Sequence, residues 1–294
     1  MEHYSMNVFD PTHTYDEQLF TCTDHLVSKQ QFTLHQHRDY DLLVTQPQPS
    51  TTELPNYYQS DDYISHTNSA ATIFDKLYQL VKSISLRSKT RLIGKFMTAS
   101  DAHLDLGAGT GSLVKSMNQK GYHSIGIEPS DAARAIAHKQ NIQLLSSLDQ
   151  LNPDSTFYTI TLFHVLEHLP NLTQDLSKLS SLLHQNGRLI IAVPNFKSFD
   201  AQHYNNHWAA FDVPRHLWHF SRKGISQLAK QHHLVVEHTK PMWFDSFYVS
   251  LLSEQHKTGN NNWIKALYIG LRSNFSAIRS KEYSSIIYVL KKSQ

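Results

Sequence analysis

Three closely spaced glycines form the segment of this sequence best suited to holding a ligand. Gly107, Gly109 and Gly111 follow a short apolar run, and Asp105 stands two positions before the first of them. A strand that enters such a turn and continues as a helix brings the backbone close to a ligand and directs helix N–H groups at its negative end. The segment therefore predicts a nucleotide-type site, with a tight structural turn as the alternative.

A second acid strengthens this interpretation. Glu128 closes the sequence Gly-Ile-Glu-Pro about twenty residues beyond the glycines, where a carboxylate accepts hydrogen bonds from ribose hydroxyls. The alternative is an acid near the start of a helix at Asp131. A dinucleotide fingerprint would place its third glycine at Ser112, but here it stands at Gly111. This spacing disfavours an NAD-dependent oxidoreductase, which we keep as an alternative.

Candidate catalytic residues lie in two later segments. The first, Thr161 to Leu169, contains His164; the second, Asn206 to Phe220, contains Arg215 and His216 among aromatic residues. Aromatic walls with interleaved charges suit an apolar substrate that carries a hydroxyl or ionisable group, and histidine is the usual general base for removing a proton from such a group. We therefore predict His216 as the first candidate base, His164 as the second, and Arg215 as a substrate contact. A packing role is the alternative for each.

The elements that must position these residues alternate between short apolar runs and amphipathic stretches, which is typical of a parallel sheet with crossover helices. We predict a Rossmann-like α/β fold: a seven-stranded, mostly parallel sheet with helices on both faces, a small N-terminal module, and a helical insertion before the last strand. The predicted strands are His103–Leu106, Ser124–Ile127, Gln143–Leu145, Tyr158–Phe163, Gly187–Val193, Leu234–Thr239 and Ser285–Lys291. The predicted helices are Gly111–Gln119, Asp131–Lys139, Leu172–His184, Arg222–Gln231, Asp245–Gln255 and Trp263–Ser273.

Changes in composition divide the chain into three parts. Residues 1–68 are polar with short alternating runs and form the predicted N-terminal module; residues 69–97 form a helical connector or lid. Residues 98–294 form the main domain, and its insertion spans residues 242–283. The insertion and the connector together are candidates for a lid over the substrate, with a structural cap as the alternative.

Charge and cysteine content exclude several classes of protein. The 27 basic and 25 acidic residues leave a net charge of +2, so no excess of cations indicates a nucleic-acid partner. Cys22 is the only cysteine, which fits a reducing compartment. Met1 to Pro11 lacks the apolar core of a signal peptide, and no apolar run reaches the roughly 18 residues of a spanning helix. We expect a cytoplasmic protein without a membrane segment.

Residues 98–240 resemble the class I S-adenosylmethionine-dependent methyltransferases, particularly those with a ubiquinone-biosynthesis-like core. The motifs quoted above carry the resemblance, together with Asn186-Gly187-Arg188. It implies S-adenosyl-L-methionine as the cofactor: Asp105 and the glycine turn, including Ala108, hold its methionine end, and Glu128 holds the ribose. Ser147 and Leu148 would flank the adenine, and the backbone of Phe163 and His164 would meet the amino group.

The N-terminal module also resembles a degraded form of the zinc-binding module that precedes some of these enzymes. Only Cys22 remains of the paired cysteines, and the neighbouring donors are Asp24, His25, His35, His37 and Tyr40. Since tetrahedral zinc needs four good donors and the 20 histidines are scattered, we expect no metal.

The resemblance implies methyl transfer by in-line displacement to a small-molecule acceptor. The sequence leaves open whether oxygen, nitrogen or carbon is methylated, and it leaves the oligomeric state open. A non-catalytic protein that binds S-adenosylmethionine is the second alternative.

Overall fold

The computed structural model describes residues 18–58, 73–152 and 154–293. Parts of the predicted N-terminal module (1–17 and 59–68) and of the connector (69–72) lie outside these residues. The strands are β1 (Gln18–Thr23), β2 (Gln31–Gln36), β3 (Leu42–Gln46), β4 (Ala102–Leu106), β5 (His123–Ile127), β6 (Phe157–Phe163), β7 (Leu183–Pro194), β8 (Trp218–Phe220), β9 (Leu234–Pro241) and β10 (Ser285–Lys292). The α-helices are α1 (Ile73–Ile93), α2 (Ser112–Gln119), α3 (Asp131–Lys139), α4 (Leu172–Leu182), α5 (Phe199–Tyr204), α6 (Arg222–Gln231), α7 (Asp245–Thr258) and α8 (Trp263–Ser280).

The main sheet has the strand order β5-β4-β6-β7-β10-β9. Strands β4 to β7 pair in parallel, and β10 runs antiparallel to both β7 and β9. The predicted Rossmann-like, mostly parallel α/β fold is therefore confirmed. So is the helical insertion, since α7 and α8 both precede the last strand.

The predicted count of seven strands is wrong, because the sheet has six. Residues Gln143–Leu145 form no strand, and only Leu145 makes a single parallel bridge to Ile127. Asn141 just before them has φ 59, and a turn begins at Ser146. The extended stretch between these bends is too short for a continuous ladder. Similarly, the helix predicted to reach His184 ends at Leu182, because the next residue already begins β7.

Side chains on successive positions of β7 show that the sheet is covered on both faces. Leu189 and Ile191 pack in one apolar cluster, and Ile190 and Ala192 pack in another. Helices α4 and α6 contribute to the first cluster, whereas α1 and α2 contribute to the second. Both faces are thus buried, as expected for strands connected by crossover helices.

A second, antiparallel sheet combines the N-terminal strands with a strand from the main domain. Its order is β1-β2-β3-β8, and Val44 of β3 pairs with Trp218 of β8. Its apolar side packs on the aromatic loop before β8, where Trp208 and Phe211 are buried with Phe32. The N-terminal strands therefore hold the predicted substrate segment in place.

Among the helices within the described ranges, none is both long enough and apolar enough to cross a membrane.

Candidate functional site

The glycine turn leaves β4 in a left-handed backbone conformation. Gly107 has φ 70 and Gly109 has φ 54, values that residues with a side chain rarely adopt. A Cβ at Gly107 would lie 2.3 Å from Cγ2 of Val165, so the turn and the segment after β6 are in direct contact. A Cβ at Gly109 would meet no atom of the described residues within 4 Å. Gly109 therefore leaves space on the side where a ligand would approach.

Asp105 is buried at the end of a hydrogen-bonded chain across three strands. The Thr161 hydroxyl donates to Oδ1 of Asp105 at 2.6 Å, and Nε2 of His103 lies 3.0 Å from the same hydroxyl. Nδ1 of His103 lies 2.8 Å from Oγ of Ser124. Burial lowers the pKa of His103 to about 3. Burial also raises the pKa of Asp105 to about 6, although the hydrogen bond from Thr161 lowers it.

Glu128 lies against the glycine turn. Its Oε2 accepts a hydrogen bond from the amide of Gly109 at 2.8 Å, and its Oε1 accepts one from the amide of Ser130 at 2.9 Å. The structure thus brings Glu128 together with the glycines, as the spacing predicted. The helix-capping alternative does not describe Glu128, because the N-cap of α3 is Ser130, whose hydroxyl accepts from the Ala133 amide.

The other predicted cofactor contacts surround this edge of the sheet. Ala108 is half-buried, and its amide donates to the Ile127 carbonyl at 2.9 Å. Ser147 and Leu148 are half-buried at the turn after Leu145. Their role at an adenine ring stays a prediction.

Two charged residues, Lys89 and Asp245, reach this region from helices. The sequences of these helices did not indicate that either side chain would lie near the glycine turn. Lys89 of α1 lies with its Nζ 4.1 Å from the ring centroid of Phe163. Burial lowers the pKa of Lys89, while the charges of Asp105 and Asp245 raise it. Asp245 opens α7. The sequence showed only that Lys89 belongs to a basic run at the end of an amphipathic helix, so its direction could not be inferred.

His164 directly follows β6 and has an unusual backbone conformation, φ 59. Its amide donates to the Ala192 carbonyl at 2.9 Å. Its Nε2 lies 3.2 Å from Oδ2 of Asp245, and its Nδ1 lies 3.4 Å from Oε1 of Glu167. Burial lowers the pKa of His164, but the two carboxylates outweigh it and raise the pKa to about 9. His164 is therefore a cation at neutral pH.

A buried polar cluster follows directly. Glu167 and His168 lie in a short 3₁₀ helix, Leu166–His168, and His216 reaches them from the loop before β8. The ring centroids of His168 and His216 are 4.6 Å apart. Burial lowers the pKa of His168 to about 4. The sequence pattern predicted His216 but not Glu167 or His168, although both stand in the motif with His164.

Arg215 binds carboxylates beside this cluster, and one of them, Asp212, also lies 3.9 Å from Nε2 of His216. The Arg215 side chain is 1 % exposed and forms ion pairs with Asp24 at 3.1 Å and with Asp212 at 2.5 Å. The guanidinium also donates to the Tyr57 carbonyl at 3.0 Å. Since these partners surround the guanidinium, its placement favours a role in holding the N-terminal strands to the loop over contact with a substrate.

The candidate metal ligands of the N-terminal strands do not form a metal site among the described residues. Burial raises the pKa of Cys22 to about 12, so its sulfur is a thiol rather than a metal-binding thiolate at neutral pH. Asp24 accepts hydrogen bonds from the amides of Leu26, Val27 and Ser28. Within the described ranges, Cys22 does not come together with His25, His35 and His37 in a group of metal-ligating atoms.

Comparison with known proteins identifies the family. The family model of a methyltransferase domain, Methyltransf_23, matches residues 74–239, more than half of the chain. The chain belongs to this methyltransferase family. An uncharacterized methyltransferase from Alkaliphilus oremlandii is 37 % identical over 102 residues, which cover 32 % of this chain and 46 % of that protein. A ubiquinone biosynthesis O-methyltransferase from Bradyrhizobium diazoefficiens is 27 % identical over 105 residues, 33 % of this chain and 42 % of that protein.

This methyltransferase spans about half the length of the curated relatives it matches. Among solved structures, magnesium protoporphyrin IX methyltransferase from Synechocystis PCC 6803 with bound SAH has a TM-score of 0.56 at 15 % identity, covering 83 % of this chain and 100 % of that one. Coclaurine N-methyltransferase has a TM-score of 0.51 at 13 % identity, covering 77 % and 76 %. At these identities the likeness shows the fold.

The predicted class I S-adenosylmethionine-dependent methyltransferase is thereby confirmed, and with it S-adenosylmethionine as the cofactor. A match to a methyltransferase family leaves no support for the oxidoreductase alternative. The roles predicted for individual residues stay predictions.

Proposed function

We propose that this methyltransferase transfers the methyl group of S-adenosylmethionine to a small-molecule acceptor whose reacting atom lies beside Glu167, His168 and His216. One observation carries the proposal: the segment that bears Glu167 and His168 packs directly on the glycine turn, with Val165 against Gly107. Cofactor and acceptor would therefore meet at one edge of the sheet, which is where ligands of open α/β sheets bind. Names of relatives that include O- and N-methyltransferases of small molecules agree with this.

The residues at the glycine turn fit the cofactor. Gly109 leaves open space, Asp105 and Lys89 offer opposite charges to the amino and carboxylate groups of a methionine end, and Glu128 offers a carboxylate for ribose hydroxyls. When bound, the cofactor supplies a methyl group already activated on a sulfonium sulfur. The chain's own task is then to align the acceptor, exclude water and receive its proton.

His216 is the proposed proton acceptor, as the sequence analysis suggested. Its Nδ1 lies 2.8 Å from the Ala210 carbonyl, which can only accept, so Nδ1 carries the hydrogen and Nε2 keeps a lone pair. A protonated His164 cannot fill this role. We assign His164 instead to holding Glu167 and Asp245 in place, and Arg215 to positioning the loop on which His216 stands.

The proposal is tested with deuteromethyl-labelled S-adenosylmethionine in a small-molecule extract. We expect one or a few metabolites to gain the mass of a single deuterated methyl group, and we expect Glu128→Ala to abolish the gain at low cofactor concentration. The matched control is Asp131→Ala, three residues away and exposed. Binding of S-adenosylhomocysteine without labelling of any metabolite, across extracts from several sources, would favour the non-catalytic alternative.

A further inference from the structure

The side chains of Glu167, His168 and His216 converge at a point that the methyl-transfer proposal leaves unexplained. Each offers one ligand atom, and these three atoms lie within 4.8 Å of one another. In the part of the chain that the structure describes, this is the one group of three metal-ligating residues. Glu167 is 1 % exposed and His216 is 8 % exposed, so the group is largely shielded from water.

Backbone carbonyls fix both imidazoles in the same tautomer. Nδ1 of His168 lies 2.9 Å from the Arg215 carbonyl and 3.0 Å from the Tyr58 hydroxyl, and Nδ1 of His216 lies 2.8 Å from the Ala210 carbonyl. A carbonyl only accepts and a hydroxyl can accept as well, so the hydrogen on each Nδ1 satisfies these contacts and leaves a lone pair on each Nε2. A histidine that ligates a metal typically donates its other ring N–H to a carbonyl or carboxylate in this way.

The carboxylate of Glu167 gives independent support for a bound cation. Neither of its carboxylate oxygens has a hydrogen-bond partner among the described residues, and both are buried. The nearest cation is His164, 3.4 Å from Oε1, and His164 is shared with Asp245. A buried carboxylate is strongly unfavourable unless it is hydrogen-bonded or binds a metal. One ligand atom from each of the three side chains thus lies within 4.8 Å of the other two, and a cation between them would satisfy the carboxylate. Nε2 of His216 also lies 3.9 Å from Oδ2 of Asp212, so a second carboxylate borders the group.

We propose that Glu167, His168 and His216 bind a divalent transition-metal ion through one carboxylate oxygen and two Nε2 atoms. Two imidazoles and a carboxylate suit zinc, manganese, iron or cobalt, whereas magnesium and calcium prefer oxygen ligands. Three protein ligands leave coordination positions open, as in catalytic rather than structural sites. The site deepens the proposed function, and only its purpose rests on that function. The ion would bind the acceptor's oxygen or nitrogen and lower the pKa of that group. Because Nε2 of His216 would then be a ligand, solvent water would receive the proton in place of His216.

The test is cobalt binding to untagged, chelator-treated protein, followed by visible absorption, with zinc as the competitor. We expect one equivalent to bind, and we expect Glu167→Gln and His168→Gln each to weaken it at least about tenfold. The controls are His256→Gln, in a pair where the rings of His25 and His256 stack at 4.0 Å, and Cys22→Ser; both should bind normally. Circular dichroism checks that each variant is folded.

Equal cobalt binding by wild type and by both Glu167→Gln and His168→Gln would overturn the site. So would binding that is lost in His256→Gln or Cys22→Ser instead. Because cobalt binding needs neither cofactor nor acceptor, it separates this inference from the proposed function. Metal binding without any methyl transfer would count against the function, whereas methyl transfer undiminished by chelation would count against the metal.

A different part of the molecule carries a second inference. Helix α8 buries small side chains and exposes large apolar ones. Its buried face contains four small residues, Ala266, Gly270, Ser273 and Ala277, together with Ile269 and Asn274. Its exposed face carries Ile264, Leu267, Tyr268, Leu271, Phe275 and Ile278, which are 42–68 % exposed. This arrangement reverses that of a helix on an ordinary protein surface.

Charge indicates what covers this face. The α8 sequence contains no Asp or Glu, and at 3.6 residues per turn Arg272 and Arg279 follow along one side of the apolar stripe. An exposed apolar stripe with cations at its rim is typical of helices that lie in the interface of an anionic membrane. We infer that α8 rests on a bilayer surface containing anionic lipid, without crossing it.

Co-sedimentation with vesicles tests this inference, using phosphatidylcholine with and without phosphatidylglycerol. We expect binding that phosphatidylglycerol strengthens, that Ile264→Ser/Phe275→Ser abolishes, and that Arg272→Gln/Arg279→Gln makes insensitive to anionic lipid. The control is Val235→Ser, an exposed apolar residue of β9. Failure to bind either vesicle would overturn the inference. A dimer in solution that Ile264→Ser/Phe275→Ser disperses would show instead that a second copy covers the face.

Discussion

Asp24 and Arg215 form a fully buried ion pair although 191 positions separate them in the chain. Asp24 belongs to the N-terminal strands, and Arg215 precedes the residue proposed to receive the acceptor's proton. The same guanidinium also pairs with Asp212. The end of β1 is thereby connected electrostatically to the loop that bears His216, in addition to the backbone pairing of β3 with β8.

The first prediction concerns Arg215→Ala. Removing the guanidinium leaves Asp24 buried without its cation, and breaking a buried ion pair from one side typically costs about 3–5 kcal/mol of folding free energy. We expect a loss of that size in urea unfolding. Arg222→Ala is the control, because its 3.6 Å pair with Glu282 lies near the surface and contributes about 0–1 kcal/mol. An Arg215→Ala variant of normal stability that loses turnover would restore the substrate role suggested by the sequence.

The second prediction concerns the cost of keeping Asp105 in the site. Burial raises the pKa of Asp105 from an ordinary value of 3.8 to about 6 in the folded protein. Between these pH values the folded state binds more protons than the unfolded state, so stability falls as pH rises through the window. Above pH 6 the penalty is complete. Asp105→Asn, which can still accept from Thr161, should therefore stabilise the cofactor-free protein at neutral pH by about 1–3 kcal/mol.

Urea midpoints of wild type and Asp105→Asn, compared between pH 4 and pH 7, check this window. The difference between the two proteins should grow with pH and then level off. Calorimetry should show that the same substitution weakens S-adenosylhomocysteine binding about tenfold or more, the scale for hydrogen bonds to a charged group. A variant that is less stable at neutral pH would contradict the assignment of burial as the cause of the shifted pKa.

The third prediction is that Lys89 holds the carboxylate of the cofactor's methionine end. Lys89→Met should weaken binding of S-adenosylhomocysteine about tenfold, because a charged hydrogen bond is lost, and should leave binding of adenosine unchanged. Lys82→Met, on the same helix but exposed to solvent, is the matched control. Equal losses for both ligands would mean that Lys89 supports the fold of the site and does not contact the methionine end.

The sequence predicted that Gly107 and Glu128 lie together in the candidate site, but it did not predict that Lys89 and Asp245 join them. The difference has a physical reason. Gly107 and Glu128 follow consecutive strands, and strand order alone brings them to one edge. Lys89 and Asp245 come from helices outside the alternation of parallel strands and crossover helices. Whether their side chains point into the site depends on how each helix is rotated about its axis. The partner of Arg215 could not be predicted, because Asp24 approaches only after β8 joins the N-terminal sheet.

The wrongly predicted strand at Gln143–Leu145 is explained by local backbone conformation, which the hydrophobic pattern does not describe. The segment after Asn141 has the apolar residues of a strand, yet its flanking bends leave room for one bridge only. Hydrophobic alternation predicts that a segment is extended. It does not predict how many consecutive residues can reach the neighbouring strand.

The last prediction separates chemistry from packing at His216. His216→Ala removes either the proton acceptor or a ligand of the ion that binds the acceptor, so it should lower single-turnover methyl transfer about a hundredfold or more. Affinity for S-adenosylhomocysteine should change little, because His216 belongs to the acceptor side. His219 provides the comparison: it is buried three residues further along, and its Nε2 lies 2.9 Å from the Thr45 hydroxyl.

His219→Ala should melt earlier, because it removes a buried ring and one of the two hydrogen bonds of the Thr45 hydroxyl, which keeps its 2.6 Å bond to the His216 carbonyl. The folded fraction should still transfer methyl at the normal rate. His216→Ala should show the opposite pattern, with a melting temperature closer to wild type and a much slower transfer. Melting and single-turnover rates are therefore measured on both variants with the first acceptor identified. If His216→Ala behaves like His219→Ala, then His216 serves packing alone, and the proton must leave by another route.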